Sequence, residues 1–184
     1  EIILGTGWLV LDGTPGDGSR TIFFDAVRGT YQVSDVTKFD LIYIQQYDDP
    51  SKWLPPFNHN AVVDRRNLTQ SQDERGAIFY LTHNFTDMTS IDAYYIYKHE
   101  KQSDMNKYWI KKGWTSNGGD DADVHTYGAR LYGKLDENWS YSAEGALQFG
   151  RSRYFGEATG SRNLSAQGAN TKLMYAFNDD LKNE

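Results

Sequence analysis

The chain has 184 residues, a net charge of −6 and no cysteine. Its mean hydropathy, −0.69, is polar, yet 15% of its residues are aromatic, with 13 Tyr and 5 Trp beside 17 Gly. These values exclude a disulfide framework or thiolate metal site, argue against general nucleic-acid binding, and leave no apolar run long enough for a membrane helix.

A conventional core needs Leu, Ile and Val, whereas this chain carries its apolar content on Tyr, Phe, Trp and Ala. That balance suits a transmembrane β-barrel, with an apolar outer band, aromatic girdles and a polar lumen. It also suits a soluble or surface-located, aromatic-rich β-protein that binds carbohydrate. With no initiating Met or signal peptide, and strand-like from Glu1-Ile2-Ile3-Leu4, the chain is expected to be one barrel segment, 1–184, incomplete at both ends.

In chain order, a first strand is expected over Glu1–Val10, followed by a Gly-rich loop, Asp12–Ser19. A second strand, Arg20–Val33, places Phe23, Val27, Gly29, Tyr31 and Val33 on one face and Ala26, Arg28, Thr30 and Gln32 on the other. Asp25 falls on the apolar side, which fits only a rim position. Ser34-Asp35-Val36 turns into a third strand, Thr37–Tyr47, whose faces are both mixed (Phe39, Leu41 and Tyr43 against Ile42 and Ile44). A long loop, Asp48–Asp73, holds Trp53 and Phe57, the candidates for stacking on a sugar ring. A fourth strand covers Arg75–Asn84 and its lumen side is not assigned. After a short turn the fifth, Thr89–Glu100, sets Ile91, Ala93, Tyr95 and Tyr97 opposite Asp92, Tyr94, Lys98 and Glu100. Period two is strand behaviour, because successive side chains point to opposite faces.

After a loop over Lys101–Asp121 comes the clearest hairpin, Asp123–Arg151, turning at Asp136-Glu137-Asn138. Tyr127, Ala129, Leu131, Gly133 and Leu135 share a face, opposed by Thr126, Gly128, Arg130, Tyr132 and Lys134. On the return strand Trp139, Tyr141, Ala143, Gly145, Leu147 and Phe149 oppose Ser140, Ser142, Glu144, Ala146 and Gln148. A connection, Ser152–Leu164, leads to a last strand, Ser165–Phe177, with Ala169, Thr171, Leu173 and Tyr175 opposite Asn170, Lys172 and Met174. Eight long strands with short turns alternating with long loops match bacterial outer-membrane barrels, where one end has short turns and the other long loops. In lipid every strand must be paired, so such a sheet must close.

Several segments, GSRTIFFDAVRGTY, KFDLIYIQQYD, SIDAYYIYKHE and TYGARLYGKLDENWSYSAEGALQFGR, resemble strands of the alginate-export family of outer-membrane barrels, in that family's order. The resemblance implies an antiparallel up-and-down transmembrane β-barrel of about eighteen strands, of which this chain would supply under half. A self-contained eight-stranded barrel, too narrow for a polymer, is the alternative architecture. The implied location is the outer membrane of a Gram-negative bacterium. The implied function is that of a channel or porin passing a polysaccharide, an anionic alginate-like one included, or small solutes. Implied partners are membrane lipids and lipopolysaccharide, the transported solute and periplasmic export partners; no cofactor, metal or nucleic acid is implied. Candidate lumen cations are Arg28, Lys98, Arg130, Lys134 and Lys172, accompanied by Asp92, Glu100 and Glu144. The wall is therefore mixed, a departure from the family's basic lumen, in which Arg and Lys ease the passage of carboxylates.

Arg130 and Glu144, on adjacent strands, form an ion pair in a plainer reading of the wall. An outer-membrane hydrolase is a further alternative, built on His125 with Asp121 or Asp123 and a loop Ser, without a nucleophile elbow or spaced acid pair. Asn117–Asp123 lacks EF-hand ligand spacing, and His59, His83, His99 and His125 lack metal spacing.

Overall fold

The computed structural model describes residues 4–5, 25–46, 74–101, 111–113, 121–153 and 161–177. Seven strands make up its fold: β1 (Asp25–Ser34), β2 (Thr37–Gln46), β3 (Glu74–Thr86), β4 (Thr89–Glu100), β5 (Ala122–Lys134), β6 (Trp139–Ser152) and β7 (Arg162–Tyr175). They form one antiparallel sheet in sequence order. The sheet is an open up-and-down meander with β1 and β7 at its edges.

Register matters more here than element boundaries, because a slip of one residue exchanges a strand's two faces. One row crosses the whole sheet through Thr30, Asp40, Tyr80, Tyr94, Gly128, Ala146 and Gly168. Two residues further along it lies a row through Gln32, Lys38, Thr82, Asp92, Arg130, Glu144 and Asn170. Residues at even spacing from these rows share one face, which is polar. The alternate positions form the other face, rich in Tyr, Phe, Leu and Ala.

Short turns close the sheet at one end, at 35–36, 87–88 and 135–138. In the last of these Asp136 accepts hydrogen bonds from the backbone N–H of Asn138 (2.8 Å) and Trp139 (2.7 Å), so a side chain performs the turn's hydrogen bonding. Adjacent turns are also joined: Asn84 N–H donates to Val36 O, Lys134 N–H to Met88 O and Ala176 N–H to Asn138 O. Backbone pairing thus runs to the end of the sheet. The ladder also climbs steadily. The row that leaves Thr37, first residue of β2, meets β4 at Ile91 and β6 at Ala143. That lies two residues into β4 and four into β6, an advance of one residue per strand.

Expected and observed strands differ mainly at their ends. β7 begins at Arg162 rather than Ser165, because Arg162, Asn163 and Leu164 continue the ladder opposite Ser152, Arg151 and Gly150. β3 extends to Thr86 through an irregularity between Asn84 and Thr86. Of the expected first strand only Leu4 and Gly5 are described, and neither is strand: Gly5 sits at a turn with φ of 63°. The rest of that strand, Trp53 and Phe57, and most of the expected loops lie outside the described residues. The described sheet therefore has seven strands where eight were expected, and it is not closed.

Candidate functional site

Alternation and register bring Arg28, Asp92, Lys98, Arg130, Lys134, Glu144 and Lys172 to the polar face together. The ambiguous third and fourth strands resolve the same way. In β2, Phe39, Leu41 and Tyr43 lie on the apolar face, and Lys38, Asp40, Ile42 and Ile44 on the polar one.

The centre of this face is a hydrogen-bonded ladder of charge and phenol. Asp92 is 2% exposed and Asp40 1%, burial that ionisable groups tolerate only when paired. Asp92 accepts from Arg130 Nε at 3.1 Å, from Arg130 Nη2, and from the Tyr80 hydroxyl at 2.7 Å. The Tyr80 and Tyr94 rings stack with centroids 5.8 Å apart, and the Tyr94 hydroxyl donates to Glu144 at 2.7 Å. Arg130 faces Glu144 across β5 and β6, but its guanidinium turns to Asp92 on β4 and lies 4.1 Å from the Tyr132 ring centre. Gly128 makes room for this arrangement, since a Cβ there would lie 2.3 Å from Tyr94 ring atoms.

Two further ion sets flank the ladder. Arg28 donates to Asp40 at 2.9 Å, Thr30 donates to the same oxygen, and Lys38 lies 3.9 Å from the other. Lys98 sits between Glu74 (3.0 Å) and Glu100 (2.8 Å). Lys134 and Lys172 differ: both are exposed and pair with no carboxylate among the described residues. They lie toward the short-turn end, in rows otherwise carrying Asn84, Ser90, Tyr132 and Ser142, and Ser140 and Met174. Asp40, Tyr80 and the role of the Tyr94 hydroxyl escaped the sequence reading. The signal for Asp40 was its alternation with Lys38 and Ile42, masked by the isoleucines on its own face.

The opposite face shows the reverse pattern. Val27 is 73% exposed and Leu173 61%, while the charges point the other way. In the halves of the strands remote from the short turns, Tyr95 lies 4.7 Å from Tyr127, and Tyr127 5.5 Å from Phe149. At the short-turn end Trp139 lies 4.9 Å from Tyr175, which lies 5.1 Å from Phe177. Small and aliphatic residues, among them Ala93, Ala129, Leu131, Ala143 and Gly145, fill the band between. On β7 the apolar run is shorter, starting only at Ala169 after Ser165 and Gln167. Beyond the upper aromatics a polar row runs through Asp25, Gln45, Arg75, His99, Asp123, Arg151 and Asn163. Asp25 stands at a rim, and Asp123 accepts from His99 (2.7 Å), Tyr97 (3.0 Å) and Arg151 (2.9 Å). The imagined pairing of His125 with Asp123 is not formed, because His125 Nδ1 is 2.8 Å from the Tyr95 hydroxyl instead. Among the described residues no group of three or more His, Asp or Glu is arranged to hold a metal ion.

Comparison with protein-family models, curated proteins and solved structures finds no match to the chain.

Proposed function

We propose that the chain forms part of the wall of an outer-membrane β-barrel, a passive channel for a polysaccharide or small solutes. The observation that carries this reading is the inverted sheet: large apolar side chains are exposed on one face and charged ones are buried on the other. In water that distribution is unfavourable, since apolar exposure costs roughly 25 cal/mol per Å². In lipid it is the expected one.

Two dimensions support it. On β6 the apolar face runs from Trp139 to Phe149, ended by Arg151, about 33 Å along the strand at ~3.3 Å per residue. With the short turns in one plane, the advance of one residue per strand means a tilt of about 35°, from ~3.3 Å rise and ~4.8 Å strand spacing. The tilted band is then about 27 Å tall, close to the ~25 Å apolar band of membrane barrels, whose strands tilt ~35–45°. The pairing that β1 and β7 require in lipid comes from further strands, as the resemblance to the roughly eighteen-stranded alginate-export family implies.

For the solute, the charges at the centre are largely paired, and among the described residues Lys134 and Lys172 are polar-face cations with no carboxylate partner. That favours anionic carbohydrate over a cationic solute. Conductance of the full-length protein in planar bilayers tests the reading. An anion-preferring current blocked by uronate oligomers supports a polyanion channel, a current without block leaves a general porin, and folded protein without conductance overturns the transport function.

A further inference from the structure

Among the described residues the polar face carries an apolar island. Ile42 and Ile78 are buried on it, Ile44 and Ile96 partly so, in the rows next to Tyr80 and Tyr94. Isoleucines facing a wet lumen serve no solute, and an aqueous lumen would leave them bare. Leu4, which is 6% exposed, packs into the same cluster. Gly5 follows at φ 63°, a conformation that a residue with a Cβ adopts only at a cost. A Cβ at Gly5 would lie 3.2 Å from the Tyr80 hydroxyl and 4.0 Å from the Arg130 guanidinium carbon. The backbone at Gly5 thus lies against the centre of the buried Asp92–Arg130–Tyr80 network.

Resting on the channel reading above, we infer that the Leu4–Gly5 segment is an internal strap: Leu4 docks on the isoleucine island, Gly5 lies across Tyr80 and Arg130, and the passage is narrowed at mid-wall. The strap takes Arg130 and Asp92 out of the solute's path. The exposed Lys134 and Lys172, nearer the short turns, stay in it. Among the described residues the seat is held by apolar burial and close backbone approach rather than by an ion pair.

The chain has no cysteine, so once any cysteine elsewhere in the full-length protein is replaced by Ser, a single introduced thiol reports on the seat. In the full-length protein in outer-membrane vesicles, with folding verified by heat-modifiable gel mobility, Ile78→Cys is labelled with a charged maleimide. The same variant carrying Leu4→Ser is labelled beside it, and single-channel conductance is read for Leu4→Ser and the unmodified protein. Loss of Leu4 burial is expected to speed labelling by about tenfold or more and to raise conductance. Gly5→Ala, which keeps the Leu4 side chain but strains the turn that seats it, is expected to move both readouts in the same direction. Equal labelling rates with and without Leu4 overturn the seat. Faster labelling with unchanged conductance overturns the narrowing while the channel reading stands. Faster labelling with no conductance in any variant overturns the channel reading, and the narrowing with it, while the docking of Leu4 stands.

Discussion

Asp92 can be buried because Arg130 and Tyr80 are placed to donate to it, each from a neighbouring strand. Arg130→Met leaves that carboxylate without its charged partner and is expected to destabilise the protein by about 3–5 kcal/mol. Adding Asp92→Leu is expected to restore most of the loss, because replacing both members of a buried pair is far milder than breaking it. Denaturant unfolding in detergent micelles measures both, and equal stability of single and double variants would contradict the pairing. Gly128 makes a sharper steric prediction. Gly128→Ala drives a methyl into the Tyr94 ring and is expected to lose about 1–3 kcal/mol, a loss relieved when Tyr94 is also replaced by Ala. Without that relief the ring is not seated on Gly128. At this scale the sequence was partly legible: alternation placed Arg130 and Glu144 on one face. It could not say that the guanidinium would turn to Asp92, since a strand residue has two neighbours at similar distance and only side-chain packing chooses between them.

At the scale of the strand, the two faces differ in chemistry, and the proposed barrel sets one against lipid and the other against water. Ala143 and Ser142 are consecutive on β6, the first near the middle of the apolar band and the second on the polar face beside Lys172. Ala143→Arg is expected to destabilise by about 2–4 kcal/mol, the depth-dependent penalty for a cation on a lipid face. Ser142→Arg, at a half-buried position opposite Lys172, is expected to lose about 1 kcal/mol or less, the cost of a like charge across the strands. Similar losses at both positions would remove the distinction between the faces. The strands themselves were well marked in the sequence where period two ran long, as in β4, β5 and β6. β2 resisted because Ile42 and Ile44 give its polar face an apolar signature, and their reason is non-local: they pack into the cluster that includes Leu4. The start of β7 was missed because Arg162 and Asn163 look like loop residues, yet at a polar rim they continue the ladder opposite Ser152 and Arg151.

For the whole molecule, the proposed channel would take its selectivity from the balance of charge along the path. Arg28, Lys98 and Arg130 are tied to carboxylates, so reversing the exposed pair with Lys134→Glu and Lys172→Glu is expected to move the reversal potential of the full-length channel toward cations. An unchanged reversal potential would place these lysines off the path. The architecture, all-β with antiparallel neighbours in sequence order, was legible from alternation and short turns. Closure was not, because it depends on what pairs with the outer edges of β1 and β7. The claim beneath all of this is that one face of the sheet meets lipid and the other meets water. Nitroxides at each position from 139 to 152 in the full-length protein, reconstituted in bilayers, test it through accessibility to oxygen and to a water-soluble nickel chelate. The account predicts a two-residue alternation, with Trp139, Tyr141, Ala143, Gly145, Leu147 and Phe149 favouring oxygen and the intervening positions favouring the chelate or neither. Chelate accessibility at Ala143, Gly145 and Leu147 equal to that at fully exposed sites would contradict it, and would make this a sheet that stands in water.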